Sequence, residues 1–101
     1  MSDTAAIARL EAHVHFEPNS GCWIFGGRWD KDGYGMFHLN GRTIRAHQAA
    51  FALYHGRLRK GREIDHTCNN RACCNPQHLE AVSRAVNCRR IFIRRKLAGA
   101  A

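Results

Sequence analysis

Apolar and polar positions recur with two different periods along this chain. Near the start, Ile7, Leu10 and Val14 fall at i, i+3 and i+7, which predicts an amphipathic helix over 3–15 with Asp3 as its N-cap. Pro18, Asn19, Ser20 and Gly21 then make a turn. From Cys22 the pattern shortens to that of strands. Cys22-Trp23-Ile24-Phe25 is rich in strand formers, and Gly26-Gly27 after it marks a bulge or a close backbone approach. Met36–Leu39 and Arg42–Arg45 flank Asn40-Gly41, the residue pair best suited to a two-residue hairpin turn. The expectation is a three-stranded antiparallel sheet over 22–45, one face of which carries Arg28, His38, Arg42 and Arg45.

The helical period returns over 46–55, where Ala46, Ala49, Ala50 and Leu53 share a side and Gly56 closes the C-terminus. Residues 57–62 are basic and glycine-punctuated, hence an exposed loop. A short strand over 63–66 and a second over 78–82 enclose a stretch, 67–77, that is dense in Cys, Asn and Pro and has no period. Some other agent must organise that loop. Ser83 caps a last helix that runs to 97 and carries Arg84, Arg89, Arg90, Arg94, Arg95 and Lys96, with 98–101 as a frayed tail. The fold class is small α+β.

Composition sharpens this picture. With 101 residues the chain is long enough for one domain, 1–101, and too short for an enzyme with separate cofactor and substrate lobes. No apolar run approaches the ~20 residues that span a bilayer, and Asp3 and Glu11 break any secretory leader. The net charge is +8, and the cations are 13 Arg against 3 Lys. That bias suits forked contacts to phosphates and to guanine edges, so the expected partner is a nucleic acid.

The five cysteines, Cys22, Cys68, Cys73, Cys74 and Cys88, are an odd number without an export signal, a poor basis for a disulfide framework. Cys68-x4-Cys73-x4-His78 instead offers three donors preferred by tetrahedral zinc within eleven residues, and Cys22 is the best fourth. A structural Zn2+ would organise the aperiodic loop. Cys74 is expected to pack as a neutral thiol, and Cys88 to pack into the last helix. A second constellation is Asp65-His66 with Asn87. Asp and Asn oxygens can hold a hard divalent cation, and a neighbouring imidazole can take a proton from water. Such a pair by itself is more often a surface feature.

The string from Ile64 to Val82, read as D-H-x-C-x4-C-x-N-P-x-H-L, resembles the HNH endonuclease signature of phage and bacterial proteins. It is most similar to the branch near the His-Cys box homing endonucleases, within the ββα-metal (His-Me finger) nucleases. Gly21-Cys22-Trp23, Gly33-Tyr34-Gly35 and Arg45-Ala46-His47 resemble the same group in order and spacing.

The resemblance implies a zinc-bound ββα finger over 63–97 that cleaves DNA phosphodiester bonds. His66 matches the general base. Asp65 and Asn87 match the ligands of a catalytic Mg2+ or other divalent cation, and Arg45 is the candidate that steadies the phosphate, with Arg42 close behind. Cys22, Cys68, Cys73 and His78 match the structural Zn2+ site. Arg28, His38, Arg42, Arg45, Arg84, Arg89 and Arg90 are the expected contacts to double-stranded DNA. The second zinc cluster of His-Cys box enzymes is missing, so their dimerising tail is not implied. A homodimer is nevertheless an expectation, because Ile91, Phe92 and Ile93 give the last helix an apolar arc that a second subunit could cover. The implied setting is the cytoplasm of a bacterial or phage-infected cell. The alternative is a non-catalytic, zinc-stabilised DNA-binding module on the same scaffold, which would not need Asp65, His66 and Asn87.

Overall fold

A computed structural model describes residues 3–99. Helix α1 (Asp3–Ala12) leads into strand β1 (Val14–Phe16), and β2 (Trp23–Phe25), β3 (Met36–Leu39) and β4 (Arg42–Arg45) follow. Helix α2 (Ala46–His55), strands β5 (Arg62–His66) and β6 (Leu79–Ser83) and helix α3 (Arg84–Gly99) complete the order, with a single 3-10 turn over Pro76–His78 ahead of β6. The strands make three separate antiparallel hairpins, β1–β2, β3–β4 and β5–β6.

The expected three-stranded sheet over 22–45 is therefore corrected. Strand β2 pairs with β1, in the register Val14↔Phe25 and Phe16↔Trp23, and not with β3. The Pro18–Gly21 turn folds the chain back at once, so the helix expected over 3–15 stops at Ala12 and Val14 joins a strand. Near neighbours pair before distant ones because closing a short loop costs least. The side chain of Asp3, expected as the N-cap, lies outside the described residues. At the other end α3 continues to Gly99 where a frayed tail over 98–101 was expected, and residues 100–101 also lie outside.

The β3–β4 hairpin forms as expected. Asn40 (φ 53°) and Gly41 (φ 78°) sit at its tip in the left-handed conformation that such a turn requires. Its register corrects a second expectation. Leu39↔Arg42 and Phe37↔Ile44 share one face, while His38↔Thr43 and Met36↔Arg45 share the other. Arg42 and His38 thus project to opposite sides, and Arg28 lies outside the strands altogether.

Leu10, Phe25, Phe37, Ala49, Ala50, Phe51, Cys74 and Leu79 form the core, so α1, all three hairpins and α2 contribute to it. Gly35 is required here, since a Cβ at that position would stand 2.4 Å from the Phe25 ring. Cys74 is fully buried, as expected of a packing thiol, whereas Cys88 is exposed and does not pack into the helix face. The apolar arc of α3 is open, with Phe92 65% and Ile93 47% exposed. Among the described residues no helix is long and apolar enough to cross a membrane.

Candidate functional site

The loop between β5 and β6 is the aperiodic stretch, and its donors converge. Cys22, at the entry to β2, meets Cys68, Cys73 and His78 so that one ligand atom from each lies within 4.8 Å of all the others. His78 Nδ1 stands 3.7 Å from Cys22 Sγ and 3.5 Å from Cys73 Sγ. In a tetrahedron with Zn–S of ~2.3 Å and Zn–N of ~2.0 Å, sulfur and nitrogen would be roughly 3.6 Å apart. The cluster therefore has the spacing as well as the donor chemistry for a metal ion, and zinc is the ion these donors suit. Burial pushes the Cys73 thiol up to about 12 and raises Cys68 as well. At Cys22 burial acts in the same sense, but hydrogen bonds with Ser20, Cys68 and Cys73 outweigh it and lower the value. Hydrogen bonds lock the loop to β2 and the turn before it: Phe25 N donates to Ala72 O at 3.1 Å, Cys74 N donates to Trp23 O at 2.8 Å, and the Asn75 side chain donates through Nδ2 to Gly21 O at 2.6 Å.

The same loop reaches His66. Its Nε2 lies 3.1 Å from the carbonyl oxygen of Cys73. A carbonyl can only accept, so Nε2 carries the proton and Nδ1 keeps the lone pair. Burial holds the His66 pKa below the ordinary imidazole value, in the direction that favours the neutral ring. Two more rings back it. His47 lies 4.7 Å away and Tyr34 6.2 Å away, between centroids, and the Arg45 guanidinium covers Tyr34 at 3.9 Å. His47 is buried, and its Nδ1 has no hydrogen-bond partner among the described residues.

His66 opens onto a cleft of about 350 Å³ that Tyr34, Asp65, Arg71, Asn87 and Arg94 also line. Helix α3 crosses the β5–β6 hairpin here. Asn87, Arg90 and Arg94 follow at i, i+3 and i+7, so they share its inward face. Asn87 Nδ2 donates to Glu63 Oε1 at 2.8 Å, which leaves Oδ1 as the atom able to meet a cation. Asp65 is only 3% exposed, and both of its oxygens are engaged. Arg94 grips them as a fork at 2.9 and 3.1 Å, and Arg90 adds a bond of 3.0 Å. The Arg94 hydrogen bonds, helped by Arg90 and opposed by burial, hold the carboxyl below its usual range. Arg90 also binds Glu80, which sits directly across the strands from Asp65. It thereby relieves a like-charge pair.

The structure thus brings Asp65, His66 and Asn87 to one cleft and leaves Arg45 outside its lining. Arg45 is bound instead by Asp30 at 3.2 Å and Asp32 at 3.5 Å. Arg28, His38, Arg42, Arg84 and Arg89 are exposed, away from the cleft lining, and Arg90 is half-buried beside Asp65. Sequence reasoning missed the cleft cations. Arg71 sits inside the metal loop, and Arg94 and Arg95 counted only as helix charge. The signal for Arg94 was available, since it lies two turns beyond Asn87.

The sequence model of the HNH endonuclease family matches residues 45–89. Over 45 of its 101 residues the chain is thus similar to HNH endonucleases. The matched span holds Asp65, His66, Cys68, Cys73, His78 and Asn87, while Cys22, Arg90 and Arg94 lie outside it. Two phage proteins are related to the chain. "Protein 2.8" of Escherichia phage T7 is 33% identical over 63 residues, covering 60% of this chain and 42% of its own length. The "Uncharacterized gene 5.3 protein" of Enterobacteria phage T3 is 30% identical over 59 residues, covering 52% of this chain and 58% of its own length. The chain spans about half the length of these relatives. No solved structure matches it.

Proposed function

We propose that residues 1–101 act as one zinc-stabilised HNH domain that hydrolyses phosphodiester bonds in double-stranded DNA, in the cytoplasm of a bacterial or phage-infected cell. The observation that carries this reading is the His66–Cys73 contact. With Nε2–H donated to a carbonyl, Nδ1 is the basic atom of a neutral imidazole, and His66 shares its cleft with the oxygen donors of Asp65 and Asn87. A binding module would have no use for a base held in one tautomer beside two such donors.

In this reading Cys22, Cys68, Cys73 and His78 hold Zn2+ and so fix the Cys73 carbonyl. His66 Nδ1 takes a proton from the attacking water, and the hydroxide displaces the 3′ oxygen in line at phosphorus. Asp65 and Asn87 Oδ1 are the oxygen donors for a divalent cation such as Mg2+. Their chemistry fits a hard ion that keeps most of its own waters. When bound, that ion supplies charge neutralisation at the phosphate and at the leaving oxygen. Arg71 and Arg95 give the cleft walls the positive charge that a phosphate seeks. The products expected from the family resemblance carry 5′-phosphate and 3′-hydroxyl ends.

The test is to incubate supercoiled plasmid with the purified protein and Mg2+. Nicked or linear DNA should appear and should vanish when EDTA is added. DNA that is bound in a mobility shift yet stays supercoiled at every Mg2+ and Mn2+ concentration would favour the non-catalytic module.

A further inference from the structure

The grip of Arg94 on Asp65 is at odds with a carboxylate that waits for a cation. An ionised carboxylate offers about four lone-pair directions. Three are taken, at 2.9, 3.0 and 3.1 Å, by two guanidiniums. A divalent ion entering beside them would meet like charge at close range in a buried setting. The two arginines are not equivalent. Arg90 also holds Glu80, at 3.2 and 3.4 Å, and would keep a partner if Asp65 turned away. Arg94 makes its hydrogen bonds to Asp65 alone among the described residues, and it lines the cleft together with Arg71 and Arg95.

We propose that Arg94 is a gate on the cation site: it keeps Asp65 closed until a DNA phosphate takes its guanidinium, so that DNA and divalent cation load together. This rests on the nuclease reading above. A phosphodiester presents the same paired anionic oxygens to the fork as a carboxylate does. The exchange leaves every charge paired: Arg94 passes from carboxylate to phosphate, and Asp65 passes from guanidinium to cation. Each ligand then raises the affinity for the other by the same factor, as linkage requires. The protein alone would hold its metal weakly and would not be armed away from DNA.

The experiment titrates zinc-loaded protein with Mn2+ and follows the free-ion signal by electron paramagnetic resonance, first without DNA. Arg94→Gln should bind Mn2+ about tenfold or more tightly than wild type, Arg90→Gln less so, and Asp65→Asn should lose the site. In a His66→Ala background, which prevents cutting, a short duplex should tighten Mn2+ binding markedly, and adding Arg94→Gln should shrink that gain. Circular dichroism melts establish that each variant is folded. If Arg94→Gln does not fold, Arg90→Gln carries the test, and no rise in its affinity counts against the gate. Equal Mn2+ affinity in wild type and Arg94→Gln, at a site that Asp65→Asn abolishes, overturns the gate and leaves the nuclease reading standing. Mn2+ binding indifferent to Asp65→Asn removes both.

Discussion

Four soft donors in the β5–β6 loop already face one another, whereas the hard donors one strand away are held by other side chains. Cys22, Cys68, Cys73 and His78 need only lose protons to surround an ion. Asp65 must shed a guanidinium, and Asn87 has one amide atom committed to Glu63. The difference matches two tasks. A structural ion is bound once, and its free energy becomes part of folding. In the proposed nuclease a catalytic ion would be needed only when substrate is present, and a donor held by an arginine would keep it out at other times. Geometry alone would place both clusters in one class; what occupies the donors separates them.

The sharpest way to break this contrast is at the loop. Cys73 is 1% exposed, accepts the His66 hydrogen bond at its carbonyl oxygen and supplies one of the four metal-ligand atoms. Cys73→Ser should release the metal and abolish cooperative melting, since a zinc site of this kind contributes on the order of 10 kcal/mol to a fold too small to replace it. Metal content by mass spectrometry and a thermal melt check this. An unchanged melting temperature would leave the loop without its staple and the contrast without one side.

A smaller effect sharpens the boundary between the two regions, where His47 packs on His66. Burial, with the repulsion that a protonated His66 would add, pushes the His47 pKa down from 6.5 to about 3. As pH falls below 6.5 the unfolded chain takes up this proton and the folded chain does not. Stability is therefore fully present above pH 6.5 and is lost progressively toward pH 3, by a few kcal/mol at most. His47→Phe keeps an aromatic ring in place and removes the orphaned Nδ1. It should flatten melting temperature against pH across that window and leave it unchanged above pH 7. Parallel acid limbs for the two proteins would mean that His47 is not buried as a neutral ring.

How much of this was legible in the sequence depends on whether the information was local. Asn40-Gly41 and the span of α2 could be read because turn and helix signals lie within a few residues. The four soft donors could be read because zinc restricts ligand chemistry more than spacing does. Val14 was assigned to a helix because a single apolar residue fits either period, and only its partner Phe25 decides. Spacing from Asn87 puts Arg94 on the same face of α3, but nothing local names Asp65 as its partner, because 29 residues separate them and arginine on a basic helix looks like solvated charge. Arg45 is the phosphate contact that the family resemblance implies, yet Asp30 and Asp32, far from it in the sequence pattern, bind it.

The central claim is that the imidazole of His66, held by the Cys73 carbonyl, takes the proton from water. The direct measurement compares the cleavage rate of His66→Ala with wild type on one DNA substrate at saturating Mg2+, with DNA affinity and melting temperature recorded for both. The account predicts a rate at least ~100-fold lower, the usual worth of a positioned base, with affinity and melting nearly unchanged. A variant that binds, melts and cuts like wild type would contradict it.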